Sequence, residues 1–179
     1  MEAIKRVDAP TGRFVEQPLV LVMIDLAGFT RAVADLPAVE IAELLERYYE
    51  LCGERVAAHG GRVVKFEGDS CLATFEPDLA REAVACAVSL REDVLELGRV
   101  SQLDLDMGAN LHLARVVAGT FGFGTARGDD VMGMGVIHTF RMASGPGVRI
   151  SEPVYRKLPS DQRSPWHKHQ PPATYTWAG

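Results

Sequence analysis

The centre of the predicted fold is one apolar run, PLVLVMID at residues 18–25. Apolar residues occupy consecutive positions here instead of alternating with polar ones, which is typical of a strand buried on both faces of a sheet. The run ends at Asp25, and Gly28 follows shortly after it. The pattern therefore predicts a central strand that carries a carboxylate and a tight turn to one edge of a sheet.

Around this strand the sequence alternates between helical and extended patterns. Residues 1–16 are polar and predict an N-terminal arm, and residues 17–179 predict a single domain. Apolar residues at helical spacing predict a short helix at residues 30–34 and a longer helix that ends before Gly60. Two short strands then flank a four-residue turn at residues 67–70, which predicts a β-hairpin.

The second half of the chain predicts further strands and helices. A helix opens at Pro77 and ends at Gly98, and apolar residues that alternate from Leu103 to Leu113 predict a strand with one buried face. The other predicted elements are a strand or hairpin return at 115–119, a glycine-rich mobile loop at 120–130, a helix at 131–142, a strand at 148–151, a helix at 152–158 and an edge strand at 173–177. This order predicts an α+β fold, a ferredoxin-like α/β sandwich with a mostly antiparallel sheet.

Length, charge and cysteine content argue against several classes of protein. The chain has 179 residues, with 47% hydrophobic and 24% charged, which argues against a disordered or fibrous protein. The net charge of -5 argues against a duplex nucleic-acid binder, whose affinity depends on basic residues. No apolar run approaches the ~20 residues of a membrane span. Three scattered cysteines and the lack of a secretory signal favour a cytoplasmic protein without disulfides or structural zinc.

Two aspartates are the strongest candidates for chemistry. Asp25 ends the buried strand just before Gly28 and Thr30, where backbone N–H groups at a helix start form a site for anions. Asp69 lies in the hairpin turn, and the two carboxylates converge if the hairpin pairs beside the central strand. Carboxylates next to a phosphate cradle suit magnesium bound to a nucleoside triphosphate. The alternative is that Asp25 and Asp69 merely end a strand and form a turn.

Asp25 lies in the segment VMIDLAGFT at residues 22–30, and Asp69 lies in the segment GRVVKFEGDS at residues 61–70. These segments resemble the first and second metal-binding motifs of class III nucleotidyl cyclases, the adenylate and guanylate cyclases. Residues 110–119, NLHLARVVAG, and residues 146–151, PGVRIS, resemble later strands of that family in the same order. The resemblance covers roughly residues 18–160 and implies the nucleotide cyclase fold.

The resemblance implies roles for individual residues. Asp25 and Asp69 would hold two Mg2+ or Mn2+ ions, which help to deprotonate the ribose 3′-hydroxyl and stabilise charge on the α-phosphate as pyrophosphate leaves. Lys65 occupies the base-reading position, where an ammonium favours adenine because it has donors only. Arg141 occupies the position that contacts the α-phosphate in the transition state. The terminal phosphates would be held by the backbone of Ala27, Gly28, Phe29 and Thr30.

One position departs from the family's pattern. Ile137 stands where the family has an Asn that orients the ribose, and an alkyl side chain cannot form that hydrogen bond. A lost positioning contact costs rate because the reacting atoms must align closely. His138 is adjacent and is a candidate to replace the Asn, although a lone histidine also occurs as an ordinary packing or surface residue.

Three further residues complete the implied site. The second base-reading position falls near Gly128, so Asp129 and Asp130 are its candidates. Lys168, near the end of the sequence, is a candidate for a contact to the phosphates. For Lys65, Arg141 and Lys168 the alternative interpretation is an ordinary solvated side chain.

The leading hypothesis from the sequence is a nucleotidyl cyclase that converts ATP to 3′,5′-cyclic AMP and pyrophosphate with Mg2+ or Mn2+. In the resembled family the site forms between two domains, so one chain implies a head-to-tail homodimer with two sites. The metal ligands of each site would come from one copy, and Lys65 and Arg141 from the other. Ile137 supports the alternative of a catalytically weak or inactive module that binds nucleotide or mediates dimerisation and regulation. A pyrimidine-specific cyclase is the third hypothesis, and neither nucleic acid nor membrane insertion is predicted.

Overall fold

The computed structural model describes residues 13–169 and 173–178, so most of the predicted N-terminal arm lies outside the described residues. The strands are β1 (Phe14–Ala27), β2 (Arg62–Glu67), β3 (Ser70–Phe75), β4 (Asp106–Phe121), β5 (Gly128–Met132), β6 (Gly147–Ser151), β7 (Trp166–His169) and β8 (Thr174–Trp177). The helices are α1 (Phe29–Ala32), α2 (Ala38–Ala58), α3 (Ala80–Ser101), α4 (Met134–Arg141) and α5 (Glu152–Lys157). Among the described residues, no helix has the length and apolar character that crossing a bilayer requires.

The strands form one sheet in the order β2-β3-β1-β4-β6-β8-β7, with β5 paired to β4 beyond this path. Every pairing is antiparallel except that of β4 with β6. Strands that are consecutive in the chain form the antiparallel pairs β2–β3, β4–β5 and β7–β8. The connection through α4 allows the parallel pair. The predicted α+β class with a mostly antiparallel sheet is confirmed.

The central strand β1 is buried on both faces, as its continuous apolar run predicts. Side chains at even positions from Val20 to Leu26 pack with α2 and α3 in the larger core cluster. Side chains at odd positions from Leu19 to Met23 join a smaller cluster on the opposite side, which includes residues of β3, β4 and β5. We call these sides the helix face and the second face. Asp25 is the next odd position, so it belongs to the second face.

Strand β4 is longer than predicted. It forms one strand of 16 residues, whereas the sequence predicted a strand to Leu113 and a separate one at 115–119. Its partner β1 explains the difference, since β1 begins at Phe14, inside the predicted arm, and pairs with β4 along its full length to Ala27. Stacked rings of Phe14 and Phe121, with centroids 4.9 Å apart, hold the far end of this pair.

The prediction of a mobile loop at residues 120–130 is wrong in extent. Strand β4 continues to Phe121, and residues 128–132 return beside it as β5. Strand β5 could not be predicted, because Asp129 and Asp130 interrupt the apolar alternation that is typical of a strand. Their carboxylates form ion pairs with Arg62 and Lys65 of β2. The next helix begins at Met134 and not at residue 131, because Gly133, with φ 134°, separates it from β5.

The C-terminal strands are also arranged differently from the prediction. Strand β8 was predicted as an edge strand, but it lies between β6 and β7. The edge is β7, whose sequence WHKH has none of the apolar alternation that predicts a strand. Pairing along β8 and packing of Trp166 against Trp177 hold β7 in place.

Candidate active site

The structure brings Asp25 and Asp69 together at one end of the sheet. Asp25 is the cross-strand partner of Ser70, and Asp69 precedes Ser70 in the tight turn between β2 and β3. The turn is shorter than the four residues predicted, because β2 extends to Glu67 and β3 begins at Ser70. Both aspartates are half-buried. Two carboxylates thus lie side by side without full access to water.

Electrostatics distinguish Asp25 from an ordinary surface aspartate. Burial raises the pKa of Asp25, the adjacent charge of Asp69 raises it further, and the guanidinium of Arg149 opposes both effects. A carboxylate pair of this kind is stabilised by a cation placed between its members. Arg149 was not predicted as a site residue, and its own pKa is lowered chiefly by burial.

Gly108 provides the space that the Asp25 side chain occupies. It is the partner of Asp25 across β1 and β4. A Cβ added at Gly108 would stand 2.7 Å from Asp25 Oδ1 and 2.7 Å from the carbonyl oxygen of Gly145. Its position inside a strand is a signal that can be read from the sequence, since a glycine there often marks the close approach of another group.

Tyr49 of α2 holds the turn that carries Asp69. Its hydroxyl donates a hydrogen bond to the carbonyl oxygen of Gly68 at 2.6 Å. Its ring stacks on Phe66, with centroids 4.2 Å apart. Burial and then the charge of Asp69 raise the pKa of Tyr49. The sequence pattern does not reveal this role, because helical spacing assigns Tyr49 to a helix without showing which loop it contacts.

A cavity of about 340 Å³ opens beside Asp69. Its lining residues are Leu26, Gly28, Phe29, Thr30, Arg31 and Asp69. Gly28 has φ 82°, which a side chain would strain, and its carbonyl accepts hydrogen bonds from the N–H groups of Arg31 and Ala32. The first N–H groups of α1 have no partner within the helix, so they are available to an anion. Asp69 borders this cavity, whereas Asp25 extends across Gly108.

The donor set fits a hard divalent cation. In residues 13–169 and 173–178, no three side chains of His, Cys, Asp or Glu converge on a metal position. A cation held by Asp25 and Asp69 would therefore take its other ligands from phosphate oxygens, backbone or water. Mg2+ and Mn2+ accept such oxygen ligands and are commonly shared between one or two carboxylates and a substrate phosphate.

A β-bulge in β2 decides where Lys65 points. Val63 pairs with Ala73 of the helix face, but Lys65 pairs with Leu72 of the second face, so Val64 is the extra residue. If Val64 instead occupied a regular position in the ladder, Lys65 would share the helix face with Val63, because side chains alternate along a strand. The bulge places Lys65 on the same face of the sheet as Asp25.

Lys65 and Asp130 form an ion pair. Lys65 Nζ lies 2.7 Å from Asp130 Oδ2, and the two side chains are 38% and 16% exposed. Asp129, the other candidate, instead accepts a hydrogen bond from Thr120 at 2.9 Å and pairs with Arg62 at 3.4 Å. Of the two aspartates, Asp130 is thus the one that contacts Lys65, whereas Asp129 contacts Thr120 and Arg62.

The candidates on α4 occupy different surroundings. Ile137 and Arg141 stand one helical turn apart, and both are exposed. The ring of His138 instead contacts His112 of β4, with centroids 4.6 Å apart. Burial, and then the nearby His138, lower the pKa of His112 to about 4. His138 is exposed like Ile137 and Arg141, and its ring rests against β4.

Lys168 lies far from the aspartates of its own chain. It belongs to the edge strand β7, and β8, β6 and β4 separate β7 from β1. Its ammonium lies 5.8 Å from the ring centroid of Tyr175. Adjacent strands are about 4.8 Å apart, so Lys168 cannot contact a phosphate bound at Asp25 of the same chain.

Solved structures with the same architecture identify the fold. The adenylyl cyclase CyaB from P. aeruginosa has a TM-score of 0.82 and 18% identity, covering 93% of this chain and 96% of that chain. The guanylyl cyclase Cya2 has a TM-score of 0.79 and 24% identity, covering 92% of this chain and 93% of that chain. This chain has the fold of a class III nucleotidyl cyclase catalytic domain. The resemblance to the cyclase catalytic domain is confirmed at the level of the fold.

Relatives by sequence are matched over a part of their length. The adenylate cyclase of Anabaena cylindrica is 24% identical over 153 residues, which are 78% of this chain and 30% of that protein. An uncharacterized protein of Mycobacterium tuberculosis is 29% identical over 108 residues, which are 60% of this chain and 19% of that protein. The chain thus spans less than a third of the length of these relatives. No protein-family model matches it.

Proposed function

We propose that the protein is a nucleotidyl cyclase that converts ATP to 3′,5′-cyclic AMP and pyrophosphate. The observation that carries the proposal is the half-buried pair Asp25 and Asp69 at the sheet end of a cyclase fold. The adenylate cyclase of Anabaena cylindrica, matched over 78% of this chain, supports the same reaction class. Three unpaired, buried cysteines support a reducing, cytoplasmic location.

The two carboxylates are proposed to hold the catalytic cations. Two Mg2+ or Mn2+ ions, when bound, would make the ribose 3′-hydroxyl more acidic and stabilise negative charge on the α-phosphate. Asp25 and Asp69 bring two negative charges and hard oxygen ligands to this position. Gly108 leaves room for one carboxylate, and Tyr49 holds the turn that carries the other.

Lys65 and Asp130 are proposed to select adenine. The ammonium can donate a hydrogen bond to a ring nitrogen, and the carboxylate can accept one from an exocyclic amino group, which is the pattern of adenine. Guanine presents a ring N–H and a carbonyl oxygen at the equivalent edge, so it would place donor against donor and acceptor against acceptor. The 2.7 Å contact shows that the two side chains reach one common position.

We propose a head-to-tail homodimer in which Lys65, Arg141 and Lys168 act on the site of the partner. On this chain Lys168 is separated from Asp25 by three intervening strands, so a phosphate contact requires a second copy. The chain also exposes apolar surface around α4, as a contact surface requires. The exposed apolar side chains are Phe123, Met132, Met134, Ile137 and Phe140.

Ile137 supports a second candidate function, a catalytically weak or inactive module that binds nucleotide. Its side chain is 44% exposed and offers no hydrogen bond where the resembled family orients the ribose. His138 does not replace that contact within the chain, because its ring lies against His112. Binding without turnover would then serve regulation or dimerisation.

A direct assay separates these functions. The purified chain is incubated with Mn2+ and ATP, GTP, CTP or UTP in turn, and cyclic products are measured by mass spectrometry. We expect cyclic AMP from ATP, and its loss in Asp25→Ala and Asp69→Ala. The matched control is Asp35→Ala, which removes an exposed aspartate from the turn after α1.

Each other outcome selects a different function. Metal-dependent nucleotide binding without product would favour the inactive module. A product from CTP or UTP would favour the pyrimidine-specific cyclase. Activity retained in both Asp25→Ala and Asp69→Ala would refute the proposed site.

A further inference from the structure

One cation beside the candidate site has no role in the arrangement described above. Arg31 of α1 lines the same cavity as Gly28, Thr30 and Asp69, and it is the one basic side chain among the described lining residues. Its Nη2 atom lies 3.9 Å from the position that a Cβ on Gly28 would occupy. The guanidinium is therefore placed at the mouth of the cavity.

The ion pair between Arg31 and Asp104 is weak. Arg31 Nη2 donates a hydrogen bond to Asp104 Oδ2 at 2.9 Å, and the two side chains are 79% and 88% exposed. An ion pair this exposed contributes little, since water and salt screen it. One nitrogen makes the contact, so the remaining donors of the guanidinium fork are open to a second acceptor.

We propose that Arg31 binds the terminal phosphates of the nucleotide and that Asp104 competes with those phosphates for its guanidinium. The proposal rests on the nucleotidyl cyclase function proposed above and adds a binding residue to it. A triphosphate brings several negative charges to a cavity that Asp69 already makes acidic, so an additional cation favours its binding. Phosphate oxygens accept both arms of a guanidinium, which makes the exchange of Asp104 for phosphate favourable.

The test measures the binding of Mn2+-tripolyphosphate to the full chain by calorimetry. Tripolyphosphate provides terminal phosphates without ribose or base, so it reports binding independently of turnover. We expect Arg31→Ala to weaken binding about tenfold and Arg31→Lys to weaken it less, because lysine keeps the charge and loses the fork. Asp104→Asn should strengthen binding about twofold, since it removes an exposed competitor.

The double variant provides the decisive comparison. If Asp104 acts through Arg31, then Asp104→Asn has no effect in the Arg31→Ala background. The matched controls are Arg156→Ala and Glu152→Gln, which remove the charges of another exposed pair, 2.6 Å apart on α5, and should leave binding unchanged. Circular dichroism checks that each variant is folded.

Three results would overturn the proposal: unchanged binding in Arg31→Ala, additive effects of the two substitutions, or no binding of Mn2+-tripolyphosphate to the wild type. Failure of the proposed cyclase function has a different signature. If the wild type forms no cyclic nucleotide while the Arg31 and Asp104 effects remain coupled, then the reaction is wrong and the phosphate site is right.

Discussion

Replacing one member of the carboxylate pair should stabilise the metal-free protein. Asp69→Asn removes the charge that helps to raise the pKa of Asp25. Carboxylates on neighbouring strands lie about 6 Å apart and repel by about 3 kcal/mol at an effective dielectric constant of about 20. Partial exposure and salt reduce this to about 1 kcal/mol. In a chain of this size, that gain raises the melting temperature by about 3 °C.

The assay is thermal unfolding in EDTA and in Mn2+ with a non-reacting nucleotide analogue. In EDTA at pH 7 we expect the variant to melt above the wild type. With Mn2+ the order reverses, because the wild type alone gains stability from metal binding. Asp35→Asn serves as the control, since it removes an exposed aspartate outside the carboxylate pair.

The pH dependence has a definite sign. The pKa of Asp25 is raised in the folded state, so the folded protein binds more protons and the wild type loses stability as pH rises through that range. The advantage of Asp69→Asn should therefore shrink as pH falls and Asp25 becomes protonated. A variant that melts below the wild type in EDTA at pH 7 would refute the reasoning, because Asp69 would then stabilise the fold without a metal.

Three further substitutions test the remaining parts of the site. Gly108→Ala places a methyl group 2.7 Å from Asp25 Oδ1, and we expect at least a tenfold loss of Mn2+ affinity, measured by electron paramagnetic resonance, in a protein that still folds. Tyr49→Phe removes the 2.6 Å hydrogen bond to the turn of Asp69 and should destabilise the fold by about 1 kcal/mol in urea unfolding, with weaker Mn2+ binding. Lys65→Glu turns the proposed base-reading donor into an acceptor beside Asp130, so the ratio of ATP to GTP binding should fall more than tenfold. An unchanged ratio would exclude this pair as the base-reading site.

Local patterns predicted the elements that carry the carboxylates. The apolar run before Asp25 predicted a strand buried on both faces, and the glycine at position 68 predicted a hairpin. Both signals are local, because burial on two faces removes alternation and a tight turn needs a particular residue. The proximity of Asp25 and Asp69 then follows from the pairing of β1 with β3.

The parts that could not be predicted depend on contacts between distant segments. Residues 128–132 carry no strand pattern, because Asp130 is satisfied by Lys65 of another strand. The role of Gly108 appears when Asp25 is placed opposite it, and that of Tyr49 when α2 packs beside the hairpin turn. A single sequence specifies these residues without showing which groups they meet.

The extra residue in β2 makes the two sides of Lys65 unequal in their tolerance of length changes. Val63 and Lys65 already stand opposite the consecutive residues Ala73 and Leu72, so deleting Val64 would leave a regular ladder in which Lys65 keeps its face and its contact with Asp130. A residue inserted between Lys65 and the turn would instead shift the lysine by one position, toward the apolar layer beneath α2. In an alignment of homologues, a one-residue gap before this lysine is therefore compatible with the same ion pair, whereas a one-residue gap between the lysine and the turn is not.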